Sequence, residues 1–234
     1  MRLNPAERPD AAPRSAIRAA AEALFAENGI DGVTTRTLAE RAGVNTAAVN
    51  YYFGSKDNLA LEVFRDVARR SVRRRLDNLA RIEARARAEG RAADLAELVE
   101  AFVDAYVNED SPRSGLLLAH LVLRHRVRPT AWTRAIVREE LDGFALRFIA
   151  ALRRAAPHLD AREVHWRYHL MVGAVIMILS DQMADGRMKR LSEGLCDPAD
   201  RAQLRRQLIG FLVAAFGAPG NGARPEPAPG PVRQ

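Results

Sequence analysis

The 234-residue sequence is poor in cysteine, lysine, aromatic side chains and long apolar runs. Cys196 is its only cysteine, so an intrachain disulfide is excluded and nothing points to an oxidising compartment. No Lys or His adjoins Cys196 and no second thiol could resolve it, so it reads as an inert thiol rather than a redox sensor. Lysine occurs only at Lys56 and Lys189, so 34 of the 36 basic residues are Arg. The net charge of +7 suggests an anionic partner, but a GC-rich coding sequence would produce the same arginine imbalance. Aromatics make up 6% of the chain, and Ala and Leu outnumber β-branched residues, a composition that leans towards helix. The longest apolar stretch, Leu170 to Leu179, is about half of the ~20 residues a membrane span requires. Residues 1–13 carry Arg2, Glu7, Arg8, Asp10 and three prolines, unlike a signal peptide. The expectation is a soluble, cytoplasmic protein with no membrane partner.

What is present is mostly helical period. The apolar share of 48% is ample for buried cores. Ile17, Ala20, Ala21, Leu24 and Phe25 form one stripe of an amphipathic helix, with Gly29 as a left-handed cap. A long polar-rich helix starts near Ser55 and carries Leu59, Val63, Val67, Leu76 and Leu79. Further helices are expected at 94–108, 113–126, 129–155, 160–186 and 198–216, separated by Asp110-Ser111-Pro112, Arg128-Pro129, Pro157 to Asp160 and Gly194 to Pro198. Pro129 and Pro198 suit helix starts. No segment alternates with period two for long enough to be a strand, so the fold class is all-α. Residues 1–13 and 217–234, rich in Pro and Gly, are expected to be disordered tails. There is no internal repeat.

Residues 35–54, TRTLAERAGVNTAAVNYYFG, fit a helix-turn-helix at every diagnostic position. Two short helices around a tight turn need a small residue where they touch, supplied by Ala39. The turn needs a residue tolerant of positive φ, supplied by Gly43. Leu38, Ala42, Val44, Val49 and Tyr52 fill the core-facing positions, and Asn45 is placed to N-cap the second helix. Agreement at all of these positions distinguishes the stretch from a chance glycine match.

The wider stretch resembles the TetR (tetracycline-repressor) family. The residues carrying the resemblance are Ala20-Ala21, Leu24-Phe25, Gly29, Val33-Thr34-Thr35, Leu38-Ala39, Ala42-Gly43-Val44, Tyr51-Tyr52-Phe53 and Ser55-Lys56-Asp57-Asn58-Leu59, which span residues 15–64. The wording AAVNYYFGSK also resembles a branch whose members often respond to fatty acids or acyl-CoA esters. The resemblance implies a helix-turn-helix DNA-binding domain at 14–54, joined to a ligand-binding and dimerisation domain at 55–216. It also implies a homodimer on a pseudo-palindromic double-stranded operator, with the last two long helices pairing with their symmetry mates as a four-helix bundle. Leu170, Val172, Gly173, Ala174, Ile176, Ile209, Leu212, Val213 and Phe216 are the expected dimer surface.

Side-chain chemistry and the family placement agree on the DNA contacts. Thr34 or Thr35 opens the first helix of the motif, where free N–H groups and a hydroxyl suit a phosphate. Arg36 can reach a phosphate or a guanine. Thr46, Ala47 and Asn50, with Asn45 beside them, occupy the recognition helix: Asn50 suits an adenine edge, and Thr46 or Ala47 a thymine methyl. Family members usually carry Tyr where Asn50 sits, so the base it reads stays open. Tyr51 and Tyr52 offer hydroxyls to phosphate, with a core role as the rival for Tyr52; Phe53 reads as core. Lys56 opens the next helix against its dipole, a conflict that a DNA phosphate would relieve.

The remaining constellations are weaker. Residues 1–60 hold seven basic and seven acidic residues, whereas 61–90 hold nine Arg against five acidic ones. The cluster Arg69, Arg70, Arg73, Arg74 and Arg75 reads as a solvated helix face. His165 and His169 share a helix face but lack a third metal ligand, and His120 and His125 do not share one. No nucleophile–base arrangement or phosphate loop stands out, so neither an enzyme nor a cofactor is expected. Phe102, Tyr106, His120, Arg124, Phe144, Phe148, Tyr168 and Met171, with Trp132 and Trp166 nearby, mix polar groups into apolar stripes. That mixture is the makeup of a small-molecule site, with Met171, Met177 and Met183 as adaptable walls. The implied mechanism is a population shift in which a ligand alters the spacing of the recognition helices; whether it releases or promotes DNA binding is open. The rivals are a flat, drug-like effector, or a helical interaction protein without operator specificity.

Overall fold

The computed structural model describes residues 11–107, 112–181 and 186–220, and every regular element among them is helical. Helix α1 (Ala11–Asn28) buries Ile17, Ala20, Ala21, Leu24 and Phe25, the stripe that the period picks out. Gly29 ends it at φ +67°, a left-handed cap whose N–H donates to the Phe25 carbonyl. Helices α2 (Thr35–Ala42) and α3 (Thr46–Phe53) form the helix-turn-helix. Gly43 turns between them at φ +68°, and Ala39, 2% exposed, lets the helices touch. The long α4 (Lys56–Ala88) leads into a bundle of α5 (Leu95–Val107), α6 (Pro112–Val127), α8 (Asp142–Ala155), α9 (Ala161–Asp181) and α11 (Arg201–Gly217). The short α7 (Ala131–Ile136) joins α8 through a π-helical turn at Val137–Leu141.

Several boundaries differ from expectation. Helix α1 begins at Ala11, inside the stretch expected to be a tail. The helix expected from Pro129 instead begins at Ala131, where Thr130 and Thr133 make a reciprocal capping box. The one expected from Pro198 begins at Arg201, capped by Asp200. Local hydroxyl and carboxylate caps outweighed proline in setting both starts. The turn of helix α10 (Arg187–Leu191) has too little apolar periodicity to be read from sequence. At the C-terminus, Arg167 of α9 donates to the carbonyls of Ala215, Ala218 and Pro219 at 2.6, 2.7 and 2.8 Å. A guanidinium on the open carbonyls of a helix end satisfies acceptors that the helix cannot, which holds residues 217–220, inside the stretch expected to be a tail. The rest of the expected tails, 1–10 and 221–234, together with the 108–111 break and Met183, lies outside the described residues.

One core runs through the whole molecule, from Phe25 on α1 through Phe64 on α4 to Leu118 on α6 and Phe148 on α8. Gly115 lets α6 approach α5 closely: a Cβ there would collide with the Tyr106 carbonyl. Among the described residues, no helix is long and apolar enough to cross a membrane.

Candidate nucleic-acid interface and effector pocket

The recognition surface is built on a locked frame. Thr34 caps α2: its hydroxyl accepts from the Thr37 N–H at 3.1 Å, and the Thr37 hydroxyl accepts from the Thr34 N–H at 3.0 Å. Asn45 caps α3, its side-chain oxygen accepting from the Ala48 N–H at 2.8 Å. Each cap fixes the start of its helix and stabilises it by ~0.5–2 kcal/mol. Val49 and Phe53 anchor α3 in the core, leaving Thr46, Ala47, Asn50 and Tyr51 exposed on the other side. Tyr51 is 79% exposed and meets Tyr52 edge-on with ring centroids 5.0 Å apart. Tyr52 itself is half-buried against the core. Thr35 is the first residue of α2, and the outward-pointing Arg36 pairs with Glu40 at 2.9 Å.

Lys56, expected to meet a phosphate, has partners within the protein. Its ammonium donates to the carbonyls of Ile30 and Val33 at 3.0 and 2.9 Å. These acceptors offset the conflict with the α4 dipole from within the protein, and Lys56 ties α4 to the turn before the helix-turn-helix.

The expected ligand residues fall into two places. Phe102, Tyr106, Phe144, Phe148 and Tyr168 form a buried aromatic cluster, with successive ring centroids 5.5–6.5 Å apart. Met171 is buried one turn beyond Tyr168. Burial pushes the Tyr168 hydroxyl well above its ordinary pKa, so it stays protonated. Met177 instead points outward, 67% exposed.

His120 and Arg124 are not in this cluster. They line a cleft of about 650 Å³ between α6 and the α1–α2 turn, with Ile30, Asp31, Phe64 and Val127. Burial lowers the His120 pKa, partly countered by its hydrogen bond to the Phe25 carbonyl. The Arg124 guanidinium bonds Asp31 at 2.7 Å and lies 5.8 Å from the Trp132 ring centre. Trp132 stacks on Phe64, and Phe64 on Phe25, at 5.6 and 6.0 Å. A continuous column thus joins α7, α4 and α1.

Arg75 corrects the reading of the arginine cluster as a solvated face. Arg69 and Arg70 do pair at the surface, with Glu140 and with Glu22 and Asp66. Arg75 is only 5% exposed and lies within the aromatic cluster, 5.2, 4.5 and 5.1 Å from the ring centres of Phe102, Tyr106 and Phe144. Its spacing gives the signal: eight residues after Val67 and four before Leu79, it falls on the buried stripe of α4.

Residues 17–63 match the family described as "Bacterial regulatory proteins, tetR family", and residues 100–215 match "Tetracyclin repressor-like, C-terminal domain". The chain belongs to the TetR family. Members of this family are DNA-binding helix-turn-helix transcription regulators. The HTH-type transcriptional dual regulator CecR of Shigella flexneri is 56% identical over 43 residues, 18% of this chain and 19% of that protein. The HTH-type transcriptional repressor AcnR of Corynebacterium glutamicum is 40% identical over 57 residues, 24% of this chain and 30% of that one. The matched parts therefore span less than a third of either relative. The fold is similar to that of the transcriptional regulator FadR from Bacillus subtilis in complex with stearoyl-CoA, with a TM-score of 0.54 at 16% identity, covering 86% of this chain and 98% of that one.

The face expected to form the dimer is partly turned inward. Val172, Ile176, Leu212 and Phe216 are buried within the protomer, because α9 and α11 pack on each other and on α6 and α5. Leu170 and Gly173 of that face are exposed, and Trp166 and Met177 of α9, with Gly210 and Phe211 of α11, are exposed beside them. Their 3–4 residue spacing puts the α9 side chains on one stripe.

Proposed function

We propose that this TetR-family chain is a homodimeric repressor that binds a pseudo-palindromic operator and changes its affinity when a small molecule binds its helical domain. The observation that carries the reading is the exposed Thr46, Ala47, Asn50 and Tyr51 surface on an Asn45-capped, core-anchored α3. Polar side chains on such a rigid helix suit major-groove edges, with Asn50 reading an adenine. Thr34, Thr35, Arg36 and Tyr51 contribute phosphate contacts, Tyr52 supports α3 from behind, and Lys56 acts by holding the frame. Residues up to Gly54 form the DNA-binding unit, and 55–216 the effector and dimer unit.

The exposed stripe on α9 and α11 favours a second copy of the chain as its partner, since a two-fold contact would bury the same patch from both protomers. The effector reading rests on the aromatic cluster and on the link from α6 to the DNA-binding unit. An acyl chain is the favoured ligand body, a choice supported by the sequence wording AAVNYYFGSK and by the stearoyl-CoA bound to the similarly folded FadR. The five aromatic rings favour a flat aromatic compound as the second reading. Footprinting on DNA upstream of the protein's own coding sequence tests the proposal. Protection of two half-sites about one helical turn apart supports it, and uniform protection of all DNA contradicts it.

A further inference from the structure

The guanidinium of Arg75 is a buried charge without a counter-ion among the described residues. Its Nε and Nη2 atoms are buried and have no hydrogen-bond partner, and no acidic side chain among the described residues pairs with them. One turn earlier on the same helix, Ser71 is 3% exposed and its hydroxyl is likewise buried and unpartnered. Three aromatic faces around the guanidinium compensate part of its lost hydration through cation–π attraction. They supply no acceptor in the plane of the N–H groups, which is where a guanidinium's directional bonding lies. A buried donor without an acceptor is costly, and a buried charge more so, unless something else in the working protein supplies the partner.

Nε and Nη2 are neighbours along one edge of the guanidinium. That edge presents two parallel N–H groups in the geometry that a carboxylate's two oxygens match. Ser71 adds a third donor at helical i, i−4 spacing, on the same face of α4. The aromatic rings around them offer apolar surface for the rest of a ligand. Phe144 lies three residues beyond the π-helical turn at Val137–Leu141, where the helical hydrogen-bond register shifts, a feature common at functional sites. The rings of Phe102, Tyr106 and Phe144 close over Arg75, so a ligand body enters by parting them.

We infer that Arg75 and Ser71 form the anion-binding head of the effector site, taking the free carboxylate of a ligand whose body is apolar. This rests on the effector-controlled reading above and adds the chemical class of the ligand. The body can be an alkyl chain or a flat ring system. The head group distinguishes a free acid from its coenzyme A thioester, in which the carboxylate is lost.

Calorimetric titration of the full-length protein, without DNA, tests the inference independently of regulation. The probes are decanoate and 2-naphthoate, each beside its primary amide, together with decanoyl-CoA. The expected result is that at least one carboxylate binds tenfold or more tighter than its amide. In Arg75→Met that preference collapses to about onefold, with helical content and melting temperature kept or raised because an unpaired buried charge is gone. Arg75→Lys keeps the charge but loses the two-pronged edge, and is expected to lose most of the preference; it stands in if Arg75→Met does not fold. Equal binding of acid and amide, no binding of either acid, binding of decanoyl-CoA alone, or a preference that survives both substitutions overturns the inference. Operator binding by the ligand-free wild type is measured in parallel. A failure of the regulator reading therefore shows in the DNA assay, and a failure of the carboxylate head in the calorimeter.

Discussion

Arg124, on the sixth helix, donates a 2.7 Å hydrogen bond to Asp31, in the turn that leads into the helix-turn-helix. The bond joins α6 to the turn before the helix-turn-helix across 93 residues of sequence, beside the stacked Phe25, Phe64 and Trp132. Hydrogen bonding to Arg124 holds the Asp31 carboxyl below its ordinary pKa. Asp31 is 70% exposed at its side chain, so its loss should change stability by less than ~1 kcal/mol. Its effect on the orientation of α3 should be larger. Asp31→Asn is expected to lower operator affinity several-fold, and reversing both charges (Asp31→Arg with Arg124→Asp) to restore part of it. Fluorescence anisotropy on a labelled operator measures both, and an unchanged affinity in the single variant would remove this bond from the coupling route.

His120 makes the same junction sensitive to pH. Burial lowers its folded-state pKa, so its contribution to stability is complete above the unfolded value of ~6.5 and is lost as pH falls below it. Urea unfolding midpoints should therefore drop between pH 7.5 and 5.5, and His120→Gln should flatten that drop. Equal slopes in the two proteins would place the pH dependence elsewhere.

Two substitutions separate base reading from scaffolding. Asn50→Ala should cost ~1–3 kcal/mol at one base pair and leave stability unchanged. Lys56→Ala removes both bonds to the Ile30 and Val33 carbonyls, so it should lower the melting temperature and weaken binding to every sequence alike. Scoring both variants against a panel of single-base operator changes decides the assignment. A uniform loss for Asn50→Ala would contradict its role as a base reader.

Much of the fold was legible because it rests on local rules. The α1 stripe, the Gly43 turn, the Ala39 contact and the Asn45 cap each depend on residues within a few positions of one another. The orientation of long side chains was less legible. The spacing of Arg75 places it on the buried stripe of α4, but only the tertiary arrangement decides that it meets three aromatic rings and that Lys56 meets two backbone carbonyls. The ligand set split for the same reason: His120 and Arg124 share a helix, but their face of α6 meets the α1–α2 turn rather than the rings of α5, α8 and α9. Which residues of the expected dimer surface stay exposed was half legible, because α9 is apolar on two faces and sequence does not say which one its own protomer covers.

That outward face yields its own prediction. Leu170→Glu with Met177→Glu places charges on an exposed apolar stripe and leaves the protomer core intact. Light scattering should give about twice the 25.8 kDa chain mass for the wild type and the single-chain mass for the variant. A variant that remains dimeric would move the interface away from α9.

The most direct test compares operators that differ only in half-site spacing. A pseudo-palindrome selected from random DNA is measured beside a copy with about five base pairs, half a helical turn, inserted at its centre, which rotates one half-site to the far side of the duplex. Anisotropy titrations at fixed salt should show at least a hundredfold loss of affinity on insertion, because two α3 helices held in one dimer can no longer reach both half-sites. Equal affinity for the two DNAs would contradict a dimeric, operator-specific regulator.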